Sequence, residues 1–225
     1  MDKPQEECGI LGLWSEGPVD VAGLLHLGLL ALQHRGQEAA GMAVTDGKAF
    51  LVEKDLGLVN QVFTEERLGK LRLPEARLGI AHTRYSTTGS NLRINAQPLT
   101  ARTAHGVLAI AHNGNLVNAQ DVSEQLQRTG SIFQSSSDTE VIIHLIALSK
   151  KSTLIEKIID AVSQIEGAFS LVIICQGQII AIRDPHGVRP LCLGKLGDAY
   201  VVASETCALD IIGAEFVRDI ENGEM

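Results

Sequence analysis

Residues 118–165 carry three helix patterns in succession with no strand pattern between them, and strand patterns crowd both flanks. Residues 118–128 stop at Gly130. Ser137-Asp138-Thr139-Glu140 reads as a capping box opening an apolar helix to Leu148, and Thr153-Leu154-Ile155-Glu156 as a second box opening a helix to Ile165. On the N-terminal side, residues 9–14 form an apolar run, and residues 40–44 and 49–52 flank Asp46-Gly47 as a hairpin. Residues 78–81 and 107–111 read as short strands. On the C-terminal side, residues 168–175 and 178–183 flank Gln176-Gly177, followed by strands at 200–203 and 215–220. Two helix patterns interrupt the strands: residues 20–34, with Asp20 as N-cap and Gly36 near the end, and a weaker, polar one at 58–71. A short helix is expected at 205–211. Blocks of strands around a block of helices favour an α+β layered domain over alternating βαβ units. No repeat, low-complexity tract or linker divides the 225 residues, so a single domain is expected.

The balance of charge narrows the partners. A net charge of −8 without a basic run argues against nucleic acid and anionic membranes. The first seven residues hold two Glu and one Asp, unlike a secretory leader, and the apolar runs are too short to span a bilayer. Cysteines at 8, 175, 192 and 207 have neither Cys-x-x-Cys nor zinc-finger spacing, so no metal site is expected. These features together read as a protein of the reducing cytosol.

Cys8 follows seven polar residues and opens the apolar run. As a structural residue it is a small hydrophobe at a strand start. Were it the first residue, its thiol and α-amine would form a self-sufficient nucleophile and base, since the amine has a reference pKa of about 8. Three other segments offer polar groups beside strand ends. Arg84 carries a fork of donors suited to a carboxylate, or is a surface charge. Asn113-Gly114 offers a side-chain amide and an unhindered N–H to one oxygen, or is an ordinary Asn-Gly turn. Asp138 could accept an ammonium, or simply favour a helix N-terminus. Residues 82–99 read as a long loop, and such loops are commonly functional.

The segments CGILGLW, LQHRGQEAAG, HTRYSTTG, HNGNLVN, SSDTE and RDPHGVRPL, in this order, resemble the glutaminase domain of the amidophosphoribosyltransferase family, a class-II glutamine amidotransferase. The resemblance implies a four-layer αββα sandwich of two antiparallel sheets, the N-terminal-nucleophile hydrolase fold. It implies that residues 1–7 are a propeptide cleaved between Glu7 and Cys8, leaving 8–225 as the amidotransferase domain. Cys8 would then be the nucleophile. Asn113 and Gly114 would form the oxyanion hole; Arg84 and Thr87 would bind the glutamine carboxylate and Asp138 its ammonium. Arg35 would order the nucleophile's end of the site, and His82 and Tyr85 would belong to a loop closing over glutamine. The product ammonia would pass to a phosphoribosyltransferase domain in cis, absent from this chain, to make 5-phosphoribosylamine from PRPP in purine biosynthesis. The resemblance places no cofactor in this domain. Members of the family use Mg2+ in the other domain, some carry a 4Fe-4S cluster, and full-length members are homo-oligomers.

Two other readings share the motifs. An unprocessed chain would be a glutamine-binding or docking module without turnover. The glutaminase domain of glucosamine-6-phosphate synthase has a similar layout but resembles LEYRGYDSAG and HTRWATHG at the first two sites and lacks an RDPHGVRPL-like segment.

Overall fold

A computed structural model describes residues 8–85 and 92–225. The first half runs β1 (Gly9–Ser15), α1 (Val21–Ala31), a 3-10 turn (Gln33–Arg35), β2 (Ala39–Thr45), β3 (Phe50–Leu56), α2 (Val59–Val62), α3 (Glu65–Leu71) and β4 (Leu78–Arg84). A second 3-10 turn (Arg93–Asn95) precedes β5 (Leu99–Thr103) and β6 (Gly106–Leu116). The helical block is α4 (Ala119–Arg128), α5 (Thr139–Leu148) and α6 (Leu154–Val162). It is followed by β7 (Gly167–Cys175), β8 (Gln178–Arg183), β9 (Cys192–Leu196), β10 (Ala199–Ala203), α7 (Thr206–Ile212) and β11 (Glu215–Asp219).

Among the described residues the strands form two sheets. One has the order β11-β9-β10-β1-β4-β2-β3, the other β5-β6-β7-β8, and every neighbouring pair is antiparallel. Three apolar layers hold them. Ile10, Ala43, Ile80, Ala109, Ala111, Val172 and Val202 meet between the sheets. Leu11, Leu13, Met42 and Val201 face outward against Leu25 and Leu29 of α1 and Leu209 of α7. Leu108, Ile110, Leu171 and Ile173 face Ile142, Ile146 and Ile158 of the helical block. The result is the expected αββα order. Because β1 is covered on both faces, it reads as a continuous apolar run instead of an alternating one. Gly12 lets the sheets approach: a Cβ there would lie 2.6 Å from Ile179 Cδ1 and 2.7 Å from Val172 Cγ1.

The single helix expected at 58–71 is two, α2 and α3, separated by extended backbone at Thr64, and the structure departs from the sequence reading in four further places. Strand β4 runs on through His82 to Arg84, so these residues belong to a sheet, not a loop. Strand β6 continues past Ala111 to Leu116, because β7 pairs with it as far as Gly167. Asn113-Gly114 is therefore extended strand, not a turn. Helix α5 is capped by neither Ser137 nor a capping box: Asp138 is the N-cap residue, and Glu140 instead accepts from the Gln134 and Ser135 backbone N–H groups. Strands β5 and β9, with mixed sequences LTART and CLGKL, have no counterpart in the sequence reading. The Thr153–Glu156 capping box and the Asp20 cap are present as expected.

Candidate active site

Strand parity brings polar residues to one end of the layer between the sheets. Along β4, His82 and Arg84 continue the inward row begun by Leu78 and Ile80; along β6, Asn113 continues the inward row of Ala109 and Ala111. The antiparallel pairing of Gly9 with Thr83 places the start of β1 at this same end. His82 links the two sheets, its Nε2 lying 3.1 Å from the His112 carbonyl. Burial, above all, pushes the His82 imidazole down to about 3, so the ring is neutral and donates through Nε2.

Cys8, Arg84 and Asn113 are all buried here. Cys8 lies in the left-handed region at φ 52°, and its thiol donates to the Tyr85 carbonyl at 3.6 Å. Its own carbonyl accepts from Arg35 Nε at 2.7 Å. Arg35 is buried and its Nη1 pairs with Glu205 Oε1. Burial raises the Glu205 carboxyl, but the Arg35 guanidinium, with smaller help from Cys207 and His34, outweighs it and holds the group below the ordinary value.

The edge of β6 beyond the end of β5 presents three N–H groups on one side. His112 donates to Gln97 Oε1 at 2.7 Å and Leu116 donates to Asp138 Oδ2 at 3.0 Å. Gly114 lies between them with the same parity. Its partner across the ladder, Phe169, exchanges its backbone bonds with Asp184 instead, donating to Oδ2 at 3.2 Å and accepting the Asp184 N–H at 2.9 Å. The Gly114 N–H therefore points away from β7, toward Gln97 and Asp138. Gly114 has φ 147°, and a Cβ would collide with the Ala168 carbonyl. Next to it, the Asn113 amide is completely buried, and among the described residues neither its nitrogen nor its oxygen has a hydrogen-bond partner. A buried amide without a partner costs about 1–3 kcal/mol, and here it sits beside an N–H aimed at the free edge. Two donors placed this way can hold one oxyanion.

Asp138 closes the outer side. Thr139 Oγ1 lies 3.1 Å from His112 Nδ1, accepts from Gln97 Nε2 at 3.1 Å, and lies 3.4 Å from Asp138 Oδ1. Burial raises the Asp138 carboxyl, but His112 and the N–H groups of Leu116 and Thr139 more than offset it, leaving a carboxylate below the ordinary value. This carboxylate lines a cleft of about 670 Å3 with Asn115, Ser123, Ser136 and Ser137. Lys54 secures the Gln97 segment from the β3 side, donating to Ala96 O at 2.5 Å and Pro98 O at 3.2 Å.

Of the residues singled out by sequence, Cys8, Arg35, His82, Arg84, Tyr85, Asn113, Gly114 and Asp138 gather at this end. Thr87 and Glu7 lie outside the described residues, as do residues 1–7 and most of the expected closing loop. Gln97, Thr139 and Glu205 were not singled out. A Gln and a Thr beside short apolar runs carry no local signal, and Glu205 is 170 residues from the arginine it holds. Cys175, Cys192 and Cys207 are free, with Cys175 and Cys192 buried. Among the described residues no cluster of three His, Cys, Asp or Glu could hold a metal, and no helix is long and apolar enough to cross a membrane.

Comparison with known proteins bears on this geometry. The amidophosphoribosyltransferase of Rhizobium etli is 50% identical over 224 residues, covering 100% of this chain and 44% of that protein. The Bacillus subtilis enzyme of the same name is 47% identical, covering 98% of this chain and 45% of its own length. The chain thus spans under half the length of these relatives. The solved structure of B. subtilis glutamine phosphoribosylpyrophosphate amidotransferase with ADP and GMP superposes with a TM-score of 0.88 at 44% identity, covering 96% of this chain and 46% of that one. A second, described as the allosteric regulatory enzyme of purine biosynthesis, gives 0.90 at 45% identity, covering 96% of this chain and 45% of that one. The sandwich is accordingly the N-terminal-nucleophile hydrolase fold. The family model for the glutamine amidotransferase domain matches residues 82–210, from the inward His82 through the β6 edge and Asp138 to α7. With more than half of its length matched, the chain belongs to the glutamine amidotransferase domain family.

Proposed function

We propose that this domain hydrolyses glutamine to glutamate and ammonia through a thioester on Cys8, after cleavage of the Glu7–Cys8 bond. The observation that carries the reading is the buried Asn113 amide, without a partner among the described residues, next to the outward Gly114 N–H. Such an arrangement is unfavourable in the free protein and favourable once an oxyanion fills it.

The Cys8 α-amine takes the thiol proton, and the sulfur attacks the side-chain amide carbon of glutamine. The carbonyl π pair moves to oxygen, which Asn113 Nδ2 and the Gly114 N–H stabilise. The amine returns its proton to the amide nitrogen, the C–N bond breaks and ammonia leaves. Water then gives a proton to the amine and attacks the thioester. The C–S bond breaks, glutamate departs and the sulfur regains its proton. Arg84 and Thr87 hold the α-carboxylate and Asp138 the α-ammonium. Arg35, His82 and Tyr85 support the nucleophile's end. These steps use only groups of the chain and water.

By analogy with the relatives' names, the ammonia is delivered to a phosphoribosyltransferase domain that acts on PRPP, giving phosphoribosylamine. In this reading that domain corresponds to the part of those relatives that the chain does not span. Full-length homo-oligomers in the cytoplasm are part of the same reading.

The test is glutamate and ammonia release by the processed protein. The expected result is a one-to-one yield that Cys8→Ala abolishes while the fold is kept. Turnover persisting in Cys8→Ala contradicts the reading.

A further inference from the structure

The corner between β10 and α7 grips the start of β1 at two points. Ser204 donates its N–H to the Ile10 carbonyl at 3.0 Å, and its hydroxyl accepts the Ile10 N–H at 3.0 Å. The next residue, Glu205, reaches Cys8 through Arg35. Its Oε1 pairs with Arg35 Nη1, and Arg35 Nε donates to the Cys8 carbonyl at 2.7 Å. Its Oε2 is held in turn by His34 Nε2 at 2.9 Å and the Cys207 thiol at 3.4 Å. The carboxylate is thus fixed from both sides, and it fixes one end of a buried guanidinium.

A residue that begins a chain has no φ. Its amine and thiol are placed by ψ and χ1 alone, and anchoring the carbonyl oxygen sets ψ. An arginine can anchor it firmly only if its planar fork is itself prevented from turning. Resting on the assignment of Cys8 as nucleophile, we infer that Glu205 is a positioning residue for the reaction: it locks the plane of Arg35, which holds the Cys8 carbonyl and so aims the thiol and the α-amine. Among the described residues Glu205 bonds to His34, Arg35 and Cys207, and not to Arg84, Asn113, Gly114 or Asp138. Its removal therefore acts on the rate and not on substrate affinity.

The processed protein is assayed for glutamine turnover and for the rate at which an electrophilic glutamine analogue labels Cys8. In Glu205→Gln, which keeps the volume and an acceptor, kcat and the labelling rate should fall together by roughly 10–100-fold, the scale of a misplaced reacting group. KM should stay within about twofold. Because Glu205 acts through Arg35, the double variant Arg35→Ala/Glu205→Gln should be no slower than Arg35→Ala. Glu205→Asp keeps the charge one methylene short and should fall between wild type and Glu205→Gln. Thermal melts of each variant normalise the rates to folded protein. A Glu205→Gln labelling rate within about twofold of wild type, or losses that multiply in the double variant, overturns the inference alone. Wild-type protein that takes no label on Cys8 overturns the nucleophile assignment beneath it.

Discussion

Asp138 Oδ2 accepts the Leu116 backbone N–H at 3.0 Å, two residues along the same strand edge from Gly114. One carboxylate thus ties the start of α5 to the β6 edge, and it keeps its second oxygen near His112 Nδ1 at 3.5 Å. The residue proposed to bind the substrate's ammonium is held on the strand that offers the oxyanion donors. Binding and chemistry share one rigid element, which suits a site that must hold its geometry within fractions of an ångström.

The Asn113 amide separates activity from stability. Asn113→Ala should lower kcat by about 10²–10³, the usual effect of losing one oxyanion donor. It also removes a buried amide that has no partner among the described residues. Stability should therefore lie within about 1 kcal/mol of wild type or above it. Paired kinetic assays and urea melts check this, and a strong loss of stability would contradict the account.

Gly114 behaves in the opposite way. A side chain at φ 147° would collide with the Ala168 carbonyl in the neighbouring strand. Gly114→Ala should cost about 3 kcal/mol of stability together with most of the activity, as read by thermal melting and glutamate release.

Asp138→Asn keeps an acceptor for the Leu116 N–H but removes the charge. KM for glutamine should rise by roughly 10–100-fold, the value of a charge-assisted hydrogen bond, with a smaller change in kcat. An unchanged KM would place the ammonium elsewhere.

His82 imposes a pH dependence. Its folded value is pushed to about 3 by burial, below the ordinary 6.5 of the unfolded chain. Between those values the unfolded state binds one more proton than the folded state, so stability falls as the pH drops through that window and is fully present above it. One such group contributes a slope of up to about 1.4 kcal/mol per pH unit. In His82→Gln, urea melts at pH 4 to 7 should show a slope shallower by up to that amount. An identical slope would mean that the imidazole is not held neutral.

The layers of this fold were legible because long apolar runs such as residues 9–14 and 168–175 can only be buried strands, and because Asp20 and Thr153 cap their helices locally. Strands β5 and β9 were not, since short segments containing Arg, Lys or Gly acquire strand geometry only from their neighbours. The start of α5 misled for a related reason. Ser137-Asp138-Thr139-Glu140 has the spacing of a local cap, but its carboxylates serve other strands and turns: Asp138 satisfies Leu116, and Glu140 satisfies Gln134 and Ser135. Asn113-Gly114 reads as a turn until an eleven-residue strand is seen to hold it extended. Residue types suggested a carboxylate clamp and an oxyanion hole, yet their assembly needs contacts such as Cys8 with Tyr85, 77 residues apart. Motif resemblance supplied that assembly; local pattern could not.

The most direct measurement is the intact mass of the purified protein before and after exposure to an electrophilic glutamine analogue, with the modified residue located by peptide mapping. The expected result is loss of residues 1–7 and a single adduct on the new N-terminal Cys8. An unprocessed mass that takes no adduct, or an adduct on Cys175, Cys192 or Cys207 instead, would contradict it.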